Sequence, residues 1–230
     1  MNFVSITAGL ADGFVTTLLL FALTLVFSLP LGLLISFCTM SKFGPLRVLF
    51  KVIVWVLRGT PLMLQIFVIF YVPGLVTNGQ FVWPTMNTGW VWFDTTVTTR
   101  FLAALVAFSI NYAAYFSEIF RAGIQSVSQG QMEAGQVLGM TKRQIFFRVI
   151  LLQVVKRIIP PLSNETITLV KDTALANTIG VIDLMYRASE SLLDGYIWVV
   201  FYAGLFYLVF TGVLTVIFGK IEKKLQYFRT

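Results

Sequence analysis

The chain has 230 residues, of which 57% are hydrophobic and only 12% are charged, and its net charge is +7. A soluble domain has about a quarter of its residues charged, so this composition indicates an integral membrane protein and the positive charge is attributed to membrane orientation rather than to a nucleic-acid partner. The chain has no histidine and a single cysteine, Cys38, which excludes histidine catalysis, a histidine-ligated metal and an intrachain disulfide.

Five apolar stretches predict five membrane-spanning helices and an all-α fold. A span needs roughly 20 mostly apolar residues, and the first stretch, at about 13–37, and the fifth, at 196–219, carry no charge. The second, at about 52–76, contains the sequence "RGTP", whose proline removes a helix hydrogen bond and predicts a kink. The third covers about 100–119. The fourth, at about 145–170, is interrupted by a lysine, an arginine and two prolines.

The positions of the basic residues predict the orientation of these helices. The first 41 residues hold no lysine or arginine, and 14 of the 17 basic residues follow the first, third or fifth predicted span. We therefore expect the N-terminus outside and the C-terminus in the cytoplasm. The segment at about 77–99 then becomes an external loop, whose residues Trp83, Trp90 and Trp92 are ordinary interfacial anchors or, alternatively, contact an external partner.

One polar segment, "QSVSQGQMEAGQVLGMTKRQ", interrupts the apolar pattern and lies on the predicted cytoplasmic face. Ser128 followed by Gln131 predicts a capping box, and Glu133 suits the positive start of a helix. Gly139 can adopt the left-handed conformation that closes a helix, and a second short helix is predicted from about Thr141. The cap, the glycine and the methionines favour a docking element for a cytoplasmic partner. The alternative is a solvated loop on the bilayer surface.

The same segment carries a family resemblance. "EAGQVLGM" followed by "VILLQ" resembles the EAA loop of the permease subunits of bacterial ABC transporters. The match is at Glu133, Ala134 and Gly139, and the chain departs at Gly135, where alanine is usual, and at Leu152, where proline is usual. Three longer blocks, "LRGTPLMLQIFVIFYVPGL", "YFSEIFRAGIQSVSQGQMEAG" and "PPLSNETITLVKDTALANTIGVIDLMYRA", resemble the polar amino-acid uptake branch, which includes histidine, arginine and glutamine permeases.

The resemblance implies a type I ABC importer permease in a bacterial inner or plasma membrane. The chain would be one transmembrane domain, residues 1–230, with a cytoplasmic coupling loop at about 126–148. It would pair with a second permease, receive cargo from an extracytoplasmic amino-acid-binding protein, and contact a separate cytoplasmic ATPase dimer that holds ATP and magnesium. Its own sequence has no phosphate-binding Gly-x-x-x-x-Gly-Lys-[Ser/Thr] motif, so we expect neither a cofactor nor enzymatic activity in this chain. The expected ATPase-coupling residues are Gln131, Glu133, Ala134, Gly135, Gly139, Met140 and Arg143.

Polar residues within the apolar stretches predict a translocation path, because such groups are costly in lipid and should face protein or water. Two helix faces stand out. One carries Asn111, Tyr115 and Glu118 at positions i, i+4 and i+7, and the other carries Glu165 and Asp172, seven residues apart. These residues either contact a cationic or zwitterionic substrate or have a structural role, as in a pair between Glu118 and Arg121. The candidates are Gln65, Asn111, Tyr115, Glu118, Glu165, Asp172 and Asp183. The "NTIG" sequence that follows predicts a break in the helix and an outer gate.

Two other classes of protein remain as alternatives. A channel or a secondary amino-acid transporter would work without ATP, but the sequence has no internal repeat and no recognisable filter or pore ring. An intramembrane enzyme would need a nucleophile and a base, and the sequence has no such pattern.

Overall fold

The computed structural model describes residues 3–85 and 97–225, and within these ranges it contains helices and no strands. The bends and connections between helices decide where polar side chains meet. The helices, in chain order, are α1 (Phe3–Thr39), α2 (Gly44–Gly59), α3 (Leu62–Val76), α4 (Thr99–Gln125), α5 (Gln129–Val137), α6 (Lys142–Ile145), a π-helical turn (Phe146–Ile150), α7 (Leu151–Asp172), a 3-10 helix (Thr173–Ile179), α8 (Leu184–Leu193) and α9 (Trp198–Leu225).

Three of the described helices, α1, α4 and α9, are each long and apolar enough to cross a membrane. They contain the cores of the first, third and fifth predicted spans; α1 and α4 extend beyond the predicted bounds at both ends, and α9 begins two residues later and ends six residues later than predicted. The pair α2 and α3 meets the same criteria only when the two helices are counted together. The five-span topology and the direction of the termini stay predictions.

The second predicted span is not one kinked helix. It is two helices, α2 and α3, which meet at a bend of 108°. The helix α2 ends at Gly59, and α3 begins after Pro61. Because proline has no backbone N–H, α2 cannot continue through this position with its hydrogen bonds intact. The bend places the residues of "RGTP" in a cavity that α4 and α7 also line.

The fourth predicted span is more continuous than the sequence indicated. Pro160 and Pro161 lie inside α7 and do not end it. The irregularity is found earlier, where the π-helical turn joins α6 to α7. This turn ends at Ile150, two residues before Leu152, the position at which the resembling family usually has the proline that kinks the helix. A π-helical turn contains one more residue than an α-helical turn and so shifts the register of the helix. This end of the helix is therefore irregular even though the proline is absent.

The core lies mainly between α1 and α4. Small side chains follow one face of α1, and close approach of two backbones requires small residues at such a contact. A Cβ atom at Gly32 would lie 2.9 Å from the Cβ of Phe116 and 3.0 Å from the carbonyl oxygen of Ala113. The large buried side chains Phe108 and Phe116 of α4 fill the adjoining space. This packing makes α4 the central helix on which the polar residues are carried.

The predicted break at "NTIG" is present as a change of helix type. The helix α7 passes into the 3-10 helix, which ends at Gly180 in a left-handed conformation with φ +78°. The short helix α8 follows and packs between α1 and α9. In the segment predicted to be external, the Nε1 of Trp83 donates to the carbonyl oxygen of Phe70 at 3.4 Å. Trp90 and Trp92 lie outside the described residues.

Candidate functional site: a polar cavity and a polar loop

A polar cavity of about 600 Å³ lies where α2, α3, α4 and α7 meet. It contacts the bend between α2 and α3, the middle of α4 and the second half of α7. Asn111, which lies on its wall, is about 18 Å from the start of the 27-residue helix α4 at a rise of about 1.5 Å per residue. The cavity is therefore near the middle of the predicted membrane. Broken backbone at this depth is tolerated where it lines such a cavity.

The cationic side of the cavity comes from α2. Arg58, one residue before the end of this helix, lines the cavity, and its Cζ atom lies 5.1 Å from the centre of the Tyr115 ring. A guanidinium over an aromatic face is held by the ring quadrupole. Leu62, the first residue of α3, also lines the cavity, so the positive end of the α3 dipole faces the same space. The sequence identified Tyr115, but it treated Arg58 only as an orientation charge.

The acidic side of the cavity comes from α7. Glu165 and Asp172, both half-buried, line the cavity as their spacing of seven residues predicts. The hydroxyl of Tyr112 donates to the Oδ2 atom of Asp172 at 2.7 Å. Tyr112 is 2% exposed and belongs to α4, so this bond links α4 to the end of α7. The sequence missed Tyr112, although its position next to Asn111 on α4 was a usable signal.

A second cavity of about 410 Å³ adjoins the first toward the predicted cytoplasmic ends of α4 and α7. Arg58, Tyr115 and Glu165 line both cavities. Glu118 lines the second, where it forms an ion pair of 2.5 Å with Arg121. This pairing is the structural alternative that the sequence offered for Glu118. The two cavities therefore adjoin along α4 and α7 and share the side chains of Arg58, Tyr115 and Glu165.

Two of the remaining candidates lie in or behind the cavity wall, and one lies elsewhere. The amides of Asn111 and Gln65 are bonded to each other at 3.0 Å. Asp183 is fully buried and does not line either cavity. Its Oδ1 atom accepts a 2.7 Å bond from the backbone N–H of Tyr186, which makes it the N-cap of α8. Burial raises the pKa of this carboxyl to about 7, although its bonds from backbone N–H groups act in the opposite direction.

The predicted coupling segment forms a short helix, α5, that turns sharply into α6. Gly139 has φ +74°, as the sequence predicted. Its N–H donates to the carbonyl oxygen of Gln136 at 2.9 Å, and the N–H of Met140 donates to that of Gly135 at 3.0 Å. These two bonds are the Schellman arrangement, which requires a left-handed residue at the glycine position. The turn presents Leu138 with 79% of its side chain exposed.

The predicted capping box at Ser128 and Gln131 is wrong, because Ser128 makes no side-chain bond at the start of α5. A capping box is present one helix later. The hydroxyl of Thr141 accepts from the N–H of Gln144 at 3.3 Å, and the side chain of Gln144 accepts from the N–H of Thr141 at 2.8 Å. The Oε1 atom of Gln131 instead accepts from Gln153 at 3.2 Å, which ties α5 to α7.

The other predicted coupling residues divide by exposure. Glu133, Ala134 and Arg143 are exposed and Met140 is half-buried, whereas Gly135 is buried. A Cβ atom at Gly135 would lie 2.6 Å from Cγ1 of the fully buried Ile145. The glycine that departs from the family pattern is therefore the point at which α5 and α6 pack most closely.

The sequence matches a family described as the binding-protein-dependent transport system inner membrane component, over residues 28–227. The chain belongs to this family. It is 39% identical over 94% of its length to the L-cystine transport system permease protein TcyB of Bacillus subtilis strain 168, covering 86% of that protein. It is 37% identical, again over 94% of its length, to the probable glutamine ABC transporter permease protein GlnM of the same organism, covering 92% of that protein.

The fold agrees with this family. A solved structure described as an amino acid ABC transporter with histidines superposes with a TM-score of 0.80 at 31% identity, covering 97% of this chain and 99% of that one. The protein is thus an all-helical membrane permease of the ABC transporter type.

Proposed function

We propose that this permease carries polar amino acids in an ATP-driven importer of a bacterial inner or plasma membrane. The cavity at the bend between α2 and α3 is the observation that carries the proposal. It combines the guanidinium of Arg58 with the carboxyl groups of Glu165 and Asp172 on the opposite helix. The related permeases named for cystine and glutamine transport support the same class of cargo.

The chemistry of the cavity complements an amino acid. An α-carboxylate can accept from Arg58 and face the positive end of α3, while the α-ammonium group can donate to Glu165 or Asp172. The unequal number of cationic and acidic groups favours a zwitterion or a cation over an anion. The bend places Arg58 of α2 in the same cavity as the two acids of α7, so both signs of charge line one space.

The polar loop from α5 to α6 is proposed as the contact with a separate ATPase dimer that binds ATP and magnesium. The exposed fractions of Val137 and Leu138 are 88% and 79%, and apolar side chains beside a polar helix suit a protein partner. The contact is assigned to Gln131 through Met140, with Arg143 at its edge. A second permease, identical or closely related, would complete the path, and an external binding protein would deliver the cargo.

Reconstitution into liposomes with candidate ATPase and binding-protein chains tests this proposal. We expect uptake of one or a few polar amino acids that requires ATP. Arg58→Gln and Glu165→Gln should each raise KM roughly 10- to 100-fold, the range for loss of a hydrogen bond to a charged group. Arg47→Gln, on the same helix but lining neither cavity, is the matched control. Nucleotide-independent flux through the chain alone would instead establish a channel or a secondary transporter.

A further inference from the structure

The bend between α2 and α3 leaves a backbone carbonyl without its helical partner. In an uninterrupted helix, the N–H of residue 61 would donate to the carbonyl oxygen of Leu57. Residue 61 is proline, which has no N–H. An unpaired carbonyl at membrane depth costs several kcal/mol, so other groups must supply the missing donors.

Two side-chain amides supply these donors. The Nε2 atom of Gln65 donates to the carbonyl oxygen of Leu57 at 2.7 Å, and also approaches the carbonyl oxygen and the hydroxyl of Thr60 at 3.2 and 2.8 Å. The Nδ2 atom of Asn111 donates to Leu57 at 3.3 Å and to the Oε1 atom of Gln65 at 3.0 Å. Because backbone carbonyls only accept, these contacts fix the orientation of both amides. Their N–H groups are therefore engaged by the protein itself.

This network determines where the cationic side chain of the cavity lies. Arg58 directly follows Leu57, whose carbonyl both amides hold. Tyr115, which lies under the guanidinium of Arg58, is one helical turn beyond Asn111 on α4. The central helix therefore holds the backbone of α2 through Asn111 and the next side chain of α2 through Tyr115.

We propose that Gln65 and Asn111 are positioning residues, which fix the bend and thereby hold Arg58 in the cavity, and do not themselves bind the amino acid. The proposal rests on the proposed function in so far as Arg58 binds cargo. It replaces the sequence-based expectation that these two amides donate to the substrate. Their donors would have to leave Leu57 and Thr60 before they could reach a ligand.

Uptake kinetics test the positioning role through non-additivity. Gln65→Met and Asn111→Leu keep approximate size but remove the donors, and each should raise KM by a factor similar to that of Arg58→Gln. Combined with Arg58→Gln, neither should raise KM much further, since residues that act through one group do not add. Ser109→Ala, a buried hydroxyl on α4 that lines neither cavity, should leave KM unchanged. If the KM increases of the single variants instead multiply in the double variants, the amides contact the substrate directly and the proposal is overturned.

Cysteine labelling tests the same idea without transport. A Cβ atom at Gly59 meets no atom within 4 Å, so Gly59→Cys in a Cys38→Ser background places one thiol beside Arg58. Its rate of reaction with a charged methanethiosulfonate reagent should change several-fold in Gln65→Met and in Asn111→Leu, but not in Ser109→Ala. Each of the two variants leaves the other amide as a donor to Leu57, so the test stays available where one of them does not fold.

The two measurements separate this inference from the proposed function. Unchanged labelling rates in both amide variants would overturn the positioning role whatever the cargo is. Normal uptake by Arg58→Gln would overturn the proposed binding site, while the labelling rates would still decide whether the amides hold the bend.

Discussion

The turn at Gly139 allows a direct test of the coupling loop, because this residue has to adopt a left-handed backbone conformation. Its φ of +74° lies in the left-handed region, and its N–H bonds to the carbonyl oxygen of Gln136. A Cβ atom added at this glycine would meet nothing within 4 Å. Substitutions here therefore change the backbone preference without creating a steric clash.

The expected magnitudes follow from this geometry. Gly139→Ala should destabilise the turn by about 1–2 kcal/mol, the cost of a left-handed residue with a Cβ atom. A change of this size reduces the population of the observed turn roughly 5- to 30-fold relative to open forms. Gly139→Asn should cost less, because asparagine tolerates this region. Gly139→Pro fixes φ near −65° and removes the N–H, so it should abolish the turn.

The assay is uptake per ATP hydrolysed by the permease reconstituted with its ATPase. We expect the ratio to fall in the order wild type, asparagine, alanine, proline, while the amount of each variant in the membrane stays constant. A charge reversal at the exposed Glu133 should lower the same ratio without affecting the turn. Normal coupling in both Gly139→Pro and the Glu133 variant would remove the proposed role of this loop.

Three further changes test the packing and the cavity. In Gly123→Val the new side chain would overlap the Cγ2 atom of Ile158, so α4 and α7 should move apart. The melting temperature in detergent should fall, and an unchanged melting temperature would contradict this packing. Tyr112→Phe removes the bond to Asp172 and should destabilise the protein by about 1.5–3 kcal/mol, measured by thermal unfolding at pH 7. Pro61→Ala restores the missing backbone N–H, so it should preserve or raise the melting temperature but lower uptake, and full uptake would show that the bend is dispensable.

The sequence predicted the parts of this fold that depend on local pattern. Uncharged windows located α1 and α9, and a glycine after a polar helix located the turn at Gly139. The spacing of Glu165 and Asp172 placed both on one face of α7, because a helical period carries over without knowledge of any neighbour. The pairing of Glu118 with Arg121 was predictable for the same reason.

The features that the sequence missed depend on contacts between distant segments. Pro61 predicted a kink, but not the 108° bend, nor the hydrogen bond to Leu57 at this bend from Asn111, which lies 50 residues beyond Pro61 in the sequence. Asp183 was grouped with the path because it is an acid near a span, whereas its burial and backbone partners make it a helix cap. Arg58 was counted as an orientation charge because nothing in its local sequence indicates that it faces a cavity.

A common requirement links these three features. In a chain with so few charges, every polar group at membrane depth needs a partner, and the partner can be the protein backbone or a passing substrate. Gln65 and Asn111 donate to a backbone carbonyl, whereas the side chains of Arg58 and Glu165 form no hydrogen bond with residues 3–85 and 97–225 and line both cavities. Polarity within a span therefore identifies the neighbourhood of a path. The hydrogen-bond partners of each polar group then distinguish the residues that shape the path from those that are available to cargo.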